Sequence, residues 1–188
     1  MGVNLNQGGV LPSRSTLNLS IVSGAALAAE ALQLALKDFA LPVPTTLILD
    51  SPPGFAFSAW PAGEHPVLIV TPSCSPHYLH DLLALHPAPA GVMHEPVTLS
   101  QLQAALKVVA RGQAFHQIPP LPHNDLSPRE REVLRWVALG LENEAVADRL
   151  GIKVKSVADM LSRVKWKLGL QTRVDLARYY LGLHLVTL

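Results

Sequence analysis

The chain has 188 residues, 49% of them apolar, 15% charged and 5% aromatic, with a formal net charge of +1. That apolar fraction fills one or two small cores and excludes a disordered tail, a collagen-like repeat and a coiled-coil rod. The charge is split: residues 1–124 hold 4 Lys/Arg against 6 Asp/Glu (−2), and residues 125–188 hold 11 against 8 (+3). All 16 prolines lie at or before Pro128. Such asymmetry points to a polyanion as the partner of the C-terminal end. One cysteine, Cys74, makes no internal disulfide, which argues against a secreted, disulfide-built fold. The N-terminus lacks the pattern of a signal peptide. Residues 17–36 are interrupted by Asn18, Ser20, Ser23, Glu30 and Gln33, against a membrane span. The expectation is a cytoplasmic protein without membrane contact.

Residues 1–16, rich in Gly, Asn and Ser, are expected as a flexible arm. Leu17, Leu19, Ile21 and Val22 form a short strand ending at Ser23-Gly24. Residues 25–37 are strong helix formers, with Leu27, Ala31, Leu34 and Ala35 spaced for one face. Residues 45–49 (TTLIL) read as a buried strand closed by Asp50, and residues 67–70 (VLIV) as another closed by Thr71-Pro72. Residues 76–85 read as a helix with proline in its first turn. A short strand at 91–93 follows, and then a helix capped by Ser100 and running to about Gly112. Strands without polar alternation, each followed by a helix or loop, predict a parallel sheet covered on both faces. The first domain is therefore placed at 17–116.

Residues 117–125 (QIPPLPHND) have the composition of a linker. Beyond it the pattern is purely helical. Ser127-Pro128-Arg129-Glu130 combines an N-cap serine, proline at the first helical position and a glutamate that completes a capping box. Helices follow to about Gly140, over 143–150, over 155–168 and from Thr172 to about Leu183, punctuated by glycine. They form an all-α four-helix domain at 126–188.

The second and third of these helices, joined through Gly151-Ile152, have the shape of a helix-turn-helix. On the third, Val157, Met160, Leu161, Val164 and Leu168 form one stripe. Lys155, Ala158, Asp159, Ser162, Arg163 and Trp166 fall opposite. The stripe docks the helix and frees the other face for a major groove, with Lys153, Lys165 and Lys167 flanking it as phosphate neutralisers. The stretches LSPREREVLRWVALGL, ADRLGI, SV and KLGL resemble the C-terminal domain of LuxR/NarL-type transcription regulators. That resemblance covers about residues 125–186. It implies a four-helix domain that binds duplex DNA through its third helix, and a fourth helix that often pairs with a second copy. In this reading Lys155 and Ser156 hold the backbone, while Ala158, Asp159, Ser162 and Arg163 face bases. The groove face departs from the family: Ala158, Asp159, Met160 and Ser162 replace its usual basic and small residues, and Trp166 stands where a basic residue is common. A carboxylate there is repelled by phosphates but can accept from a cytosine amino group.

Residues 17–115 resemble a shortened, flavodoxin-like response-regulator receiver domain. Asp50 stands at the phosphoacceptor position, Thr71 at the next switch position and Glu95-Pro96 where the family has Lys-Pro. The acidic pair after the first strand is replaced by Ser23-Gly24, and there is no clear room for the usual second strand and helix. Phosphoryl transfer needs a carboxylate-held Mg²⁺ and a cation on the phosphoryl oxygens; both are poorly supplied here. The expectation is a phosphorylation-independent pseudo-receiver, with Asp50 a turn former and Thr71 a strand-end cap.

Cys74, His77, His80 and His86 are closely spaced, but Cys74 precedes Pro76, and no metal site or cofactor is assigned. Phe55, Phe57 and Trp60 offer a small-molecule site in the 51–65 loop, although aromatics so spaced more often pack as core. Leu102, Ala105, Leu106 and Val109 read first as a helix packed on the sheet, with a dimer face as the alternative. No catalytic constellation is visible. The reading is a DNA-binding transcription regulator that forms a homodimer through its fourth C-terminal helix, its receiver-like domain, or both. The alternative is an interaction protein that titrates other regulators without reading DNA.

Overall fold

A computed structural model describes residues 18–61, 63, 65–121 and 126–183. The expected arm at 1–16 and the end of the linker at 122–125 lie outside these residues. The element order is β1 (Leu19–Ser23), α1 (Ala26–Ala35), β2 (Thr45–Leu49), α2 (Phe55–Ser58), β3 (Val67–Thr71), α3 (Pro76–Leu83), β4 (Gly91–His94), α4 (Leu99–Val109) and β5 (Phe115–Gln117). Four helices follow: α5 (Pro128–Ala138), α6 (Asn143–Leu150), α7 (Val154–Leu168) and α8 (Arg173–Leu181). No helix among the described residues is long and apolar enough to cross a membrane.

The five strands form one parallel sheet in the order β1-β2-β3-β4-β5. Successive residues of a strand serve opposite faces. Leu47, Leu68, Val70 and Met93 join a core with Leu102, Ala105 and Leu106 of α4, while Ile48, Ile69 and Val92 join Tyr78, Leu79 and Leu82 of α3. Helices α1 and α4 thus cover one face, and α2 and α3 the other. All four crossovers step the same way across the sheet, so those over opposite faces have opposite hands. Two of the four therefore depart from the right-handed rule. The missing strand–helix unit explains the first: with no strand outside β1, the chain leaving α1 enters on the inner side while α1 keeps its face.

Several expectations are corrected. The α4 cap is Thr98, not Ser100: Gln101 N donates to Thr98 Oγ1 at 3.3 Å, and Thr98 N donates to Gln101 Oε1 at 2.9 Å. This capping box lay in the sequence as Thr-x-x-Gln. Phe55 and Phe57, assigned to a loop, lie in α2 and pack against the core. Gln117, assigned to the linker, belongs to β5, whose Phe115 N donates to Ala90 O. The Leu102, Ala105, Leu106 and Val109 stripe is buried on the sheet, which removes it as a dimer face. Leu27, Ala31, Leu34 and Ala35 are instead exposed, and α1 buries none of its residues.

Candidate nucleic-acid interface and its docking

The four C-terminal helices are set by local chemistry before they pack. Ser127 and Glu130 form the capping box expected for α5, and Thr172 forms one with Asp175 for α8. Gly151 ends α6 at φ +63, the left-handed conformation that the tight turn into α7 requires. Val157, Leu161 and Val164 of α7 are buried against Val133, Leu134, Val137 and Val146.

That packing turns Lys155, Ala158, Asp159, Ser162, Arg163 and Trp166 outward together, all exposed, with Trp166 83% accessible. Lys153 is exposed at the N-cap, whereas Ser156 and Lys165 are half-buried. The structure also shows how some of these groups are engaged. Ser162 Oγ donates to Ala158 O at 3.1 Å, within its own helix. Lys167 Nζ donates to Glu130 Oε2 at 2.8 Å, and Arg163 Nε lies 3.5 Å from Glu130 Oε1. Burial pushes the Glu130 carboxyl up, but hydrogen bonds from Lys167 and Ser127 outweigh it and hold the group at about 2. Lys167 thereby ties α7 to α5, a structural role beside the phosphate-contacting one read from the sequence.

The opposite side of the helical half docks on α2, α3 and the loops at the carboxyl ends of the strands. Tyr180, fully buried on α8, donates to Asp81 Oδ2 of α3 at 2.5 Å, and its ring meets Tyr78 edge-on at 5.4 Å. Burial pushes the Asp81 carboxyl up, an effect that the Tyr180 hydrogen bond opposes. Tyr179 packs on His77 at 5.5 Å. Arg131 lies 3.0 Å from His80 Nε2, and the Arg135 guanidinium covers the Phe57 ring at 4.4 Å. A Cβ on Gly182 would lie 2.6 Å from Ser73 Oγ and 2.8 Å from Cys74 N, so α8 ends in backbone contact that only glycine admits. His77 and His80 are thus interface residues in this structure.

Asp50 belongs to the same assembly. It is fully buried, and its Oδ1 accepts from Gly54 N (3.1 Å) and Ala56 N (2.9 Å). Its Oδ2 accepts from Thr71 Oγ1 (2.7 Å) and Tyr78 OH (2.5 Å). Burial and the neighbouring Asp50 push the Tyr78 hydroxyl well above its ordinary range. Asp50 and Thr71 are brought together as a packed hydrogen-bonded unit, whereas Glu95 is exposed. The sequence reading missed Tyr78, Asp81, Arg135 and Tyr180. Only the adjacent tyrosines near the chain's end, in a charge-rich bundle, offered a signal.

Residues 124–180 match the model for bacterial regulatory proteins of the luxR family. Over 98 residues, the chain is 36% identical to the nitrate/nitrite response regulator protein NarL of Escherichia coli, covering 52% of this chain and 43% of that protein. It is 28% identical over 102 residues to the transcriptional regulatory protein MctR of Rhizobium johnstonii, covering 49% and 48%. The matched stretch spans less than half the length of each of these two relatives. A structure of two RcsB dimers bound to two parallel DNAs shares the fold at TM-score 0.57 and 17% identity, over 87% of this chain and 98% of that one. The RcsB response regulator of Salmonella typhimurium does so at TM-score 0.54 and 16% identity, over 92% and 100%.

Proposed function

From a luxR-family domain at residues 124–180, we propose that this protein is a cytoplasmic transcription regulator that binds duplex DNA as a homodimer through its helix-turn-helix. In this reading residues 126–188 contact DNA, while the receiver-like sheet at 17–116 holds them without needing phosphorylation. One observation carries it: within the matched region, α7 presents Lys155, Ala158, Asp159, Ser162 and Arg163 on one exposed face, while the docking surface is elsewhere on the bundle. Ser156 at the N-terminal turn and Lys153, Lys165 and Lys167 at the flanks supply the backbone contacts. Asp159 accepts from a cytosine amino group, which gives this face a preference that a basic residue would not.

The state of Asp50 supports phosphorylation independence. Both its oxygens are taken up by four donors, and the side chain is sealed from solvent by Tyr78 and the α2 loop. Acetyl phosphate treatment followed by Phos-tag electrophoresis is expected to show no shifted band. A shift that Asp50→Ala removes overturns this part.

DNA binding is tested by selecting duplexes from a random library with the purified chain and titrating the enriched duplex at several salt concentrations. Affinity is expected to fall steeply with salt. Lys155→Ala should flatten that slope, and Arg163→Ala should weaken binding by about 1–3 kcal/mol while relaxing sequence preference. No enrichment, with capture of other regulators intact, favours the titrating role. The engagement of Arg163 with Glu130 and the carboxylate of Asp159 are what favour that second reading.

A further inference from the structure

The connections between strands leave a gap on one face of the sheet. Helix α1 follows β1 and α4 follows β4 on that face, whereas α2 and α3 lie on the other. No described helix therefore covers the carboxyl ends of β2 and β3 on the α1 side, and a groove of about 510 Å³ stands there. Its floor is Leu49, the last residue of β2, and Val70 of β3, with Leu102 of α4 on the far wall. The near wall is a stripe of α1: Ala28, Ala31, Leu32 and Ala35, spaced i, i+3, i+4 and i+7 on one side of the helix. Leu32 is the large residue of that stripe and packs on the core, so it sets the depth of the groove. The three alanines around it are too small to fill the volume above.

Position and size both suit a small ligand. Open α/β sheets bind ligands beyond the carboxyl ends of their strands, and pockets of about 300–1,000 Å³ take drug-sized molecules. The lining says which kind. Apart from Glu95 and Thr98, every side chain around the groove is apolar. Thr98 Oγ1 is taken up by the α4 capping box with Gln101. Glu95, just past β4, is exposed and makes no ion pair among the described residues. The groove is thus an apolar trough with one uncompensated negative charge at its end.

We propose that this groove binds a small organic cation with an apolar body, the body lying on Leu49, Val70 and the α1 alanines and the ammonium at Glu95. The site is separate from the outward face of α7, and its test uses no DNA, so it stands or falls apart from DNA binding. Monodansylcadaverine, a fluorescent apolar ring system on an alkylammonium, is the probe, and 6-(dansylamino)hexanoic acid its anionic counterpart. The ammonium probe should bind the full chain saturably at a single site. At low salt it should bind about tenfold more tightly than the anion, because Glu95 attracts one and repels the other. Glu95→Gln should bring the two affinities together. Ala31→Leu fills the groove with another good helix former and should abolish binding of both probes with an unchanged far-ultraviolet spectrum. Leu27→Ala with Leu34→Ala, outside the groove, should leave binding unchanged. Equal affinity of the parent for both probes, a preference that survives Glu95→Gln, or binding that survives Ala31→Leu overturns the proposal. Loss of binding in the Leu27→Ala/Leu34→Ala variant does so too, since it places the probe on exposed leucines. A parent chain that takes up no probe, including one that sedimentation equilibrium shows to be self-associated, overturns it equally.

Discussion

Across one face of the sheet, Ile48, Ile69 and Val92 pass through Tyr78, Leu79 and Leu82 of α3 into a core that continues to Val133, Val164 and Tyr180 of the helical half. Across the other, α4 is well seated through Leu102, Ala105 and Leu106, but α1 buries none of its residues and leaves a groove at its side. The first face is sealed by the protein's own C-terminal helices, whereas the second keeps a groove beside α1. The difference lies in side-chain size and direction: α3 turns Tyr78, Leu79 and Leu82 inward, whereas α1 turns in Leu32 beside the small Ala29 and leaves Leu27 and Leu34 exposed. Helix formation is indifferent to that choice, because alanine and leucine are both strong helix formers; packing is not.

Substitutions at the sealed face sharpen this contrast most. Tyr180→Ala empties a fully buried site and leaves Asp81 without its donor. It should cost about 3–5 kcal/mol in urea unfolding, whereas Tyr180→Phe, which keeps the ring, should cost about 1–3 kcal/mol. A loss below that lower range for Tyr180→Ala would show the helical half to be undocked in solution. On the other face, Leu102→Ala should cost about 2–5 kcal/mol, and Leu34→Ala should stay within about 0.5 kcal/mol. A large loss for Leu34→Ala in a monomer breaks the distinction drawn for α1. Asp50→Ala strands four donors and should cost about 2–3 kcal/mol.

The smallest effect is the pH dependence of docking. Burial first, then Arg131 and His80, lower His77 to about 4. Between its ordinary value of 6.5 and about 4, the unfolded chain takes up a proton that the folded chain refuses, so this stabilisation is full above pH 6.5 and is lost as pH falls. Asp81, raised by burial, acts in the opposite sense. The thermal midpoint should therefore fall less steeply over this range in His77→Phe than in the parent. Equal slopes would remove His77 from the interface account.

Elements with their own punctuation were legible in the sequence. The Ser127–Glu130 box, the glycine stops and the apolar stripe of α7 determine the helix-turn-helix, because capping and turn chemistry act over three or four residues. The apolar runs at 45–49 and 67–70, closed by Asp50 and Thr71-Pro72, determine strands of a parallel sheet in the same way. At α1 periodicity recognised one apolar face, but the helix meets the sheet with another side, and Leu27 and Leu34 stay exposed. A repeat gives the direction of a side chain within its helix, not the height of the wall opposite.

What only the tertiary structure decided were contacts between residues far apart in the chain. Tyr180 meets Asp81 across 99 positions and Tyr78 meets Asp50 across 28. No local energy favours such pairs, and they form because a buried carboxylate must find donors wherever folding brings them. The same holds for Lys167, a surface cation by sequence that folding places on Glu130. The sequence by itself determined the two kinds of fold and the outward-facing residues of α7. Burial decided how the two halves join and which helix, α1, stayed shallowly seated on the sheet.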